Sequence, residues 1–165
     1  MLKEIRNMRE LPFGKLMEIY AQSNLERGKK WVDENEERQI YLAEQEMYAY
    51  LRQCFFALPD SRYFLWEDSG KLVSAVRCES YGDGILLTAL ETIPIGRNRG
   101  YATDLLKAVL QRFSDRKIYA HIRHDNLASM AVHLRCGFVK VKSGARMLDG
   151  SYNREHDTYL WKNNN

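Results

Sequence analysis

Apolar positions in the first third of the chain recur every three or four residues, the spacing of an amphipathic helix. They fall into two groups: Phe13, Leu16, Met17 and Tyr20, then Ala43, Met47, Leu51 and Phe55. The pattern predicts a helix over residues 12–24 and a second over residues 36–56, with a short edge strand at Leu2–Ile5 ahead of both. The polar connection, residues 24–37, contains Trp31, which either packs in the core or lines a substrate entrance.

After residue 60 the pattern changes to short apolar runs separated by glycine-containing turns, which is typical of strands. The expected strands are 63–66, 72–78, 85–93, 117–122, 138–147 and 157–161, and the helices between them are 100–112 and 126–135. The first three strands form an antiparallel meander, the next helix and strand a crossover, and the last two strands a hairpin. This order predicts an α+β fold, a mixed β-sheet flanked by helices, built as one domain over residues 1–165.

Composition and charge exclude several classes of protein. Of the 165 residues, 45% are apolar, which excludes a disordered chain. The net charge of +3 suits a phosphate-bearing ligand but is too small to indicate nucleic acid. Three cysteines, Cys54, Cys78 and Cys136, lack the spacing of metal ligands, so no metal is expected and they are interpreted as reduced core thiols of a cytoplasmic protein. The first residues are charged, and no apolar run approaches membrane-spanning length, so no membrane partner is expected.

A basic, glycine-containing loop joins the third strand of the meander to the next helix. Residues 97–102 read Arg-Asn-Arg-Gly-Tyr-Ala. The first turn of a helix has unpaired N–H groups and a positive dipole end, which together suit a phosphate. Gly100 allows a close approach of the backbone to a ligand, and Arg97 and Arg99 supply charge for phosphate oxygens. An ordinary strand–turn–helix connection with solvated arginines is the alternative interpretation.

A second informative segment lies one strand further along. Asn126 begins a helix of small and apolar residues that ends in Gly137-Phe138. The loop resembles the Arg/Gln-x-x-Gly-x-Gly/Ala signature of the GNAT family of N-acetyltransferases, and the second segment is similar to the Asn–helix–Gly-Phe pattern that follows the fifth strand in that family. Both motifs occur in the family's order and spacing. The resemblance implies the acyl-CoA N-acyltransferase fold and extends from about residue 63 to the C-terminus.

The resemblance also implies an activity: transfer of an acetyl group from acetyl-CoA to a primary amine of a small molecule or protein. In the family the loop binds the pyrophosphate of acetyl-CoA, and the fourth strand splays from the fifth and pairs with the pantetheine arm. Carried over by position, the cofactor-binding residues are Leu90, Glu91, Thr92, Arg97, Asn98, Arg99, Gly100, Tyr101, Ala102, Thr103 and Asn126. Asn126 is equally suited to cap the helix that it begins.

Three side chains are candidates for catalysis. Many family members have a tyrosine seven residues after the asparagine, and it is proposed to protonate the departing thiolate. His133 stands there and shares a helix face with Asn126, so it is either the acid or an inert replacement, because a thiolate is a tolerable leaving group. Candidates for the base are Glu91, which could equally be a solvated carboxylate, and His121, where the family's ribosomal-protein alanine acetyltransferases carry glutamate.

Two other functions stay open at this point. A catalytically inactive acyl-CoA-binding regulatory domain would explain the missing tyrosine, and a nucleic-acid-binding domain would use the basic loop but leaves the paired motifs unexplained. The remaining histidines, His124 and His156, are expected at the surface. The resemblance implies that residues 24–37 and 147–155 contact the acceptor, whose identity the sequence does not reveal. The expected partners are acetyl-CoA and an amine, without nucleic acid or membrane; self-association into a homodimer is left open.

Overall fold

A seven-stranded sheet forms the centre of the protein in the computed structural model, which describes residues 1–163. The strands are β1 (Leu2–Ile5), β2 (Arg62–Asp68), β3 (Lys71–Tyr81), β4 (Gly84–Thr92), β5 (Lys117–Arg123), β6 (Val139–Arg146) and β7 (Tyr152–Trp161). Their order across the sheet is β1-β2-β3-β4-β5-β7-β6. Strands β4 and β5 are parallel, and the other neighbouring pairs are antiparallel. The predicted mixed sheet flanked by helices is confirmed.

The helices largely follow the predicted positions. They are α1 (Phe13–Ile19), α2 (Ala21–Gly28), α3 (Glu36–Tyr50), α4 (Tyr101–Arg112) and α5 (Leu127–Arg135), and a π-helical turn, Leu51–Phe55, continues α3. The predicted first helix is wrong in one respect, because the backbone leaves the helical conformation at Tyr20 (φ −91°, ψ 10°) and divides it into α1 and α2. Asn35 caps α3, since its side chain accepts a hydrogen bond from the Arg38 N–H at 2.9 Å.

Apolar residues fill two cores on opposite faces of the sheet. Successive residues of β2 alternate between them: Phe64 packs with α4, whereas Tyr63 and Leu65 pack with α1 and α3. Strand β5 alternates in the same way, with Ile118, Ala120 and Ile122 buried in the α4 core. Its other side chains, Tyr119, His121 and Arg123, therefore lie on the opposite face. Cys54 is exposed, so the prediction of a core thiol is wrong at that position.

No helix within residues 1–163 is long and apolar enough to cross a membrane.

Candidate active site

Strands β4 and β5 pair only over their first four residues, Gly84–Leu87 with Lys117–Ala120. Beyond this point β4 stays paired with β3 as far as Thr92, and β5 stays paired with β7 as far as Arg123. The two strands therefore diverge. From Thr88 onward, the edge of β4 that faces β5 leaves its backbone donors and acceptors available to a ligand.

A cavity of about 490 Å³ lies at this divergence, and β4, β5, β7, α5 and the β6–β7 turn form its walls. All three candidate catalytic residues line it, and so do three of the predicted cofactor residues, Glu91 being in both sets: Glu91, His121, His133, Leu90 and Asn126. His156 lines it as well and is partly buried, so the prediction of a surface position for this histidine is wrong. The reason is that β7 pairs directly with β5 and brings His156 beside the opening.

Strand β4 is distorted at Ala89, in the wall of the cavity. The residue has a φ of 52°, in the left-handed region that non-glycine residues seldom adopt. The pairing with β3 shifts at the same place, because Thr88 lies opposite Arg77 and Glu91 lies opposite Ala75. Three steps along β4 thus correspond to two along β3, which is the signature of a β-bulge.

Two buried tyrosines hold this bulge. The Tyr20 hydroxyl donates to the Ala89 carbonyl at 2.5 Å, and the Tyr63 hydroxyl donates to the Tyr20 oxygen at 2.7 Å. Burial raises the pKa of both hydroxyls, which therefore remain protonated donors. Because the C=O and N–H of one peptide group point in opposite directions, fixing the Ala89 carbonyl toward Tyr20 directs the Leu90 N–H away from that core.

The loop before α4 presents a row of backbone donors. Within residues 1–163, the six N–H groups from Asn98 to Thr103 have no hydrogen-bond partner, and the first helical bond runs from Asp104 N to Gly100 O at 2.9 Å. Asn98 (φ 63°) and Gly100 (φ 87°) adopt left-handed conformations that curve the loop. Successive N–H groups in such a curve form an anion-binding concavity at the positive end of a helix.

Glycine is required at position 100 for its backbone conformation. A Cβ placed there would meet no atom within 4 Å, so the position has space for a side chain. The φ of 87° is nevertheless one that a residue with a Cβ seldom adopts. The left-handed turn therefore requires glycine at this position, and the close approach of its backbone to a ligand stays a prediction.

The two loop arginines have different surroundings. Arg97 Nη1 donates to Gln22 Oε1 at 2.5 Å, and Nη2 lies 3.9 Å from Glu91 Oε2. Arg97 thus joins the loop to α2 and to the end of β4. Arg99 is exposed and forms no ion pair with the residues that the structure describes.

The Glu91 carboxylate is occupied by neighbours. Its Oε1 accepts a hydrogen bond from the Ser23 hydroxyl at 2.5 Å, while Oε2 faces Arg97. The backbone carbonyl of Glu91 accepts from the Ser74 hydroxyl at 2.7 Å. The carboxylate therefore links α2 and the loop before α4 to the end of β4.

His121 has the opposite surroundings. Both of its ring nitrogens are buried, and neither has a hydrogen-bond partner in the described chain. Burial, and secondly the neighbouring His156, lowers the pKa of His121, so the ring is neutral near pH 7 and one nitrogen carries a free lone pair. Its ring contacts the edge of the Tyr81 ring, with centroids 5.1 Å apart.

His133 and Asn126 are both fixed by bonds within α5. His133 is 3% exposed, and its Nδ1 lies 2.8 Å from the Ser129 carbonyl, so Nδ1 carries the proton of the neutral ring and Nε2 does not. Burial lowers the pKa of this ring, which disfavours the imidazolium form. The Asn126 side chain accepts from the Ser129 N–H at 3.0 Å, which confirms its role as a helix cap. Cavity lining and capping are therefore compatible at Asn126.

Sequence comparison identifies the family. A model described as the acetyltransferase (GNAT) family matches residues 17–138. The chain belongs to the GNAT family. Solved structures of other GNAT acetyltransferases share its fold over nearly the whole length. No curated protein sequence matches the chain.

Three of these similar structures have the following identities, TM-scores and coverages. The PaiA N-acetyltransferase from Thermoplasma acidophilum, in complex with coenzyme A, is 11% identical (TM-score 0.63; 98% of this chain and 99% of that one covered). The ribosomal-protein-S18-alanine N-acetyltransferase from Escherichia coli is 14% identical (TM-score 0.56; 97% and 92%). The microcin C7 self-immunity acetyltransferase MccE, in complex with acetyl-CoA and AMP, is 15% identical (TM-score 0.62; 98% and 92%). At these identities the similarity shows a common fold.

The sequence did not indicate a role in the site for several of its residues. Tyr20 and Ser23 lie near the start of α2, Ala89 forms the bulge, and His156 reaches the cavity from β7. Side chains alternate between the two faces of the paired strands β5 and β7, and this alternation alone relates His156 to His121. Trp31, considered for a substrate entrance, does not line the cavity. No cluster of three or more metal-ligating side chains occurs among residues 1–163.

Proposed function

We propose that this protein is an acetyl-CoA-dependent N-acetyltransferase that acetylates a primary amine of a small molecule or protein. The observation that carries the proposal is the cavity between the diverging β4 and β5, lined by Glu91, His121 and His133 in a GNAT domain. Two proteins of similar fold, PaiA and MccE, are complexed with coenzyme A and acetyl-CoA, which supports the choice of co-substrate. The proposal retains a cytoplasmic location and an amine partner, without nucleic acid or membrane; it leaves homodimer formation open.

The chain has suitable groups for each part of coenzyme A. The free N–H groups of Asn98–Thr103 would bind the pyrophosphate, with Arg99 adding charge. Free backbone groups at Leu90 and Thr92, on the edge of β4 that faces β5, would pair with the amides of the pantetheine arm, whereas the carbonyl of the intervening Glu91 is bonded to Ser74. The side-chain amide of Asn126 has two N–H donors in addition to the oxygen that caps α5.

Acetyl-CoA supplies a thioester carbonyl that an amine can attack. Negative charge develops on the carbonyl oxygen during attack, and a fixed N–H donor at that position lowers the barrier. The Leu90 N–H is suited to this role because Tyr20 holds the preceding carbonyl at 2.5 Å. The strained conformation of Ala89 is then part of the binding site rather than an accident of folding.

The three catalytic candidates take different roles in this proposal. His121 accepts the proton of the amine in this proposal, because its ring is neutral and its nitrogens have no other partner; both nitrogens are buried, so the ring has to turn to present one of them to the cavity. Glu91 positions α2 and Arg97 beside the cavity through its contacts with Ser23 and the guanidinium. His133 forms the wall of the cavity and protonates the thiolate only if Nε2 has first taken up a proton.

The alternative function is a catalytically inactive acyl-CoA-binding regulatory domain. The observation that favours it is the state of His133, whose neutral ring carries no proton on Nε2 at the position where relatives have a tyrosine. Both functions require acetyl-CoA binding, so binding alone does not separate them.

The experiment is an acetyl-transfer assay with a panel of small amines, polyamines and peptides with free N-termini. Thiol release from acetyl-CoA is followed together with the mass of the amine. We expect one amine class to gain an acetyl group at a rate proportional to enzyme concentration. Tight binding of acetyl-CoA without thiol release or product for any amine would contradict the proposal and support the regulatory domain.

A further inference from the structure

Glu79, in β3, is a buried carboxylate that no neighbouring cation neutralises. The residue is 4% exposed and forms no ion pair with any other residue in the range 1–163. Two hydroxyl groups bond it instead: Tyr50 donates to Oε1 at 2.9 Å, and Thr88 donates to Oε2 at 2.8 Å. Burial of a carboxylate without a cation is costly, so its retention at this position requires an explanation.

The three side chains form a continuous row of hydrogen bonds from the cavity to the surface. Thr88 is partly exposed and lines the cavity at the point where β4 and β5 diverge. Tyr50, the last residue of α3, is 36% exposed at the outer end of the row. Glu79 lies between them and bonds both. A row of hydroxyl and carboxyl groups of this kind can carry a proton from one end to the other.

Thr88 and His121 occupy equivalent places on the two diverging strands. The last paired residues are Leu87 of β4 and Ala120 of β5, and both side chains are buried in the α4 core. The next residue on each strand, Thr88 or His121, therefore has its side chain on the opposite face. An amine that gives its first proton to His121 accordingly lies beside the Thr88 hydroxyl.

The directions of the hydrogen bonds define what each group can do. Because Glu79 accepts the one proton of the Thr88 hydroxyl, the Thr88 oxygen can only accept from an N–H group in the cavity. Burial raises the pKa of Tyr50 to about 12, so its hydroxyl keeps its proton and donates to Glu79. The Arg77 guanidinium lies 5.0 Å from the centroid of the Tyr50 ring and supplies positive charge nearby. The carboxylate is therefore the group of this row that takes up a proton.

We propose that Thr88, Glu79 and Tyr50 relay the second proton of the amine from the cavity to solvent, an inference that rests on the proposed acetyl transfer. The amine gives its first proton to His121, attacks the thioester carbonyl and becomes positively charged. Its second proton passes to the Thr88 oxygen as the proton of that hydroxyl passes to Glu79. The nitrogen keeps the new C–N bond, and the electron pair of the C–S bond leaves on the thiolate. Glu79 passes its proton to the Tyr50 oxygen as the Tyr50 proton leaves for water.

The first test compares the full-length parent with Glu79→Gln and Thr88→Val. Glutamine has the size and hydrogen-bonding capacity of glutamate but takes up no proton near neutral pH, and valine replaces the threonine hydroxyl with a methyl group. With the amine found in the panel, we expect kcat to fall on the order of 100-fold in each variant. The KM for acetyl-CoA and the dissociation constant of coenzyme A should keep their parent values. Thr88→Ser should recover most of the rate lost in Thr88→Val. Parent kcat in Glu79→Gln would overturn the proposal.

The double variant Thr88→Val/Glu79→Gln separates a relay from a purely structural role. Two groups that act in one proton path lose it once, so kcat of the double variant should be no lower than that of either single variant. A carboxylate that only holds α3 against the sheet would instead give a lower melting temperature in Glu79→Gln. Losses in kcat that multiply in the double variant, or a lower melting temperature with parent kcat, would overturn the proposal.

The outer end of the row is tested with Tyr50→Phe and its matched control Tyr48→Phe. Tyr48 lies on the same helix with similar exposure, but the tyrosine hydroxyl that bonds Glu79 is that of Tyr50. We expect kcat of Tyr50→Phe to lie between those of the parent and of Glu79→Gln, and Tyr48→Phe to keep the parent value. Equal kcat values in Tyr50→Phe and Tyr48→Phe would overturn the proposal.

The same assays distinguish failure of the relay from failure of the proposed function. A parent that acetylates no amine would refute both, because no proton would then need to leave the cavity. A parent that acetylates an amine while Glu79→Gln keeps its kcat would refute the relay and leave the N-acetyltransferase standing.

Discussion

The loop at the start of α4 and the histidine face of β5 and β7 are built from different parts of the chain. The loop presents backbone N–H groups from six consecutive residues, Asn98–Thr103, so its chemistry depends on local conformation. The histidine face presents side chains from two strands that are distant in sequence, and it exists only in the folded sheet. A site made of backbone groups therefore tolerates changes in side chain but depends on the φ of its residues and on nearby charge. A side-chain site depends on strand register and burial.

The largest effect is expected where the loop itself is broken. Gly100→Glu forces a side chain onto a residue with a φ of 87° and places a negative charge among the N–H donors. We expect the increase in melting temperature that acetyl-CoA gives the parent to be lost. Gly100→Ala, the matched control, keeps the strain without the charge and should retain weakened binding. Parent-like binding of acetyl-CoA by Gly100→Glu would show that phosphates do not lie on this loop.

A change of rate without a change of affinity is expected at the bulge between the two regions. Tyr20→Phe removes the hydroxyl that holds the Ala89 carbonyl and keeps the ring in the core. The Leu90 N–H loses its fixed direction, so we expect kcat to fall about 10- to 100-fold, that is about 1.4 to 2.8 kcal/mol in the barrier. The dissociation constant of coenzyme A should not change.

Tyr63→Phe is the graded control for the bulge, because it leaves the bond from Tyr20 to Ala89 in place. Its kcat should lie between those of the parent and of Tyr20→Phe. Difference infrared spectra of bound acetyl-CoA, labelled with ¹³C at the carbonyl, report the same effect as a shift of the carbonyl band. Equal kcat values in all three proteins would show that the Tyr20 hydroxyl does not position the Leu90 N–H for catalysis.

Arg97 contributes a side chain to a site made mainly of backbone groups. Arg97→Ala leaves the six N–H groups in place but removes one cation, so we expect coenzyme A binding to weaken by about 1–2 kcal/mol. Calorimetric titration measures this directly. The variant to compare with it is Arg99→Ala, because Arg99 is exposed and forms no ion pair in the described chain, whereas Arg97 lies near Glu91. Loss of all binding in Arg97→Ala would mean that the guanidinium, and not the backbone, forms the site.

The smallest effect is expected at His133. Its neutral ring packs against Phe138, with ring centroids 5.0 Å apart, so His133→Phe and His133→Tyr should both keep most of the activity. An acid in this position would instead give a loss on the order of 100-fold in His133→Phe, with partial recovery in His133→Tyr. Comparison of kcat for the two variants separates these roles.

The same residue gives a pH prediction. Burial lowers the pKa of His133 in the folded protein, so the unfolded chain binds its proton first as the pH falls through about 6.5. The folded protein therefore loses stability below that pH, by about 1.4 kcal/mol for each unit of lowering. Urea unfolding at about pH 8 and about pH 5.5 should show a smaller loss in His133→Phe than in the parent. An equal loss of unfolding free energy in the two proteins would show that a group other than His133 titrates in this range.

The sequence predicted those parts of the fold that local patterns determine. The meander, the crossover and the cap at Asn126 follow from strand periodicity, turn glycines and a side chain that bonds its own helix. The break at Tyr20 was not predictable, because both halves continue the helical spacing of apolar residues. Tyr20 is also the residue whose hydroxyl bonds the Ala89 carbonyl, a tertiary contact that the local spacing does not reveal.

The loop before α4 could be predicted from the sequence more fully than the bulge in β4 and the histidines of β5 and β7. Asn98 and Gly100 lie in a contiguous motif, so their backbone role could be inferred without any knowledge of packing. The bulge at Ala89 carries no signal, since alanine has no preference for a positive φ. The position of His156 at the cavity could be predicted only from the register of β7 against β5. A shift of one residue in that register would have placed His156 on the other face of the sheet.

A crystal structure of the complex with acetyl-CoA would show where each part of the cofactor lies. We expect the pyrophosphate within hydrogen-bond distance of the N–H groups of Asn98–Thr103 and the pantetheine arm along Leu90–Thr92. We further expect the thioester oxygen at the Leu90 N–H, with the acetyl carbon open toward His121 and His156. Density for the cofactor outside the divergence of β4 and β5, or an acetyl group turned away from the two histidines, would contradict these expectations.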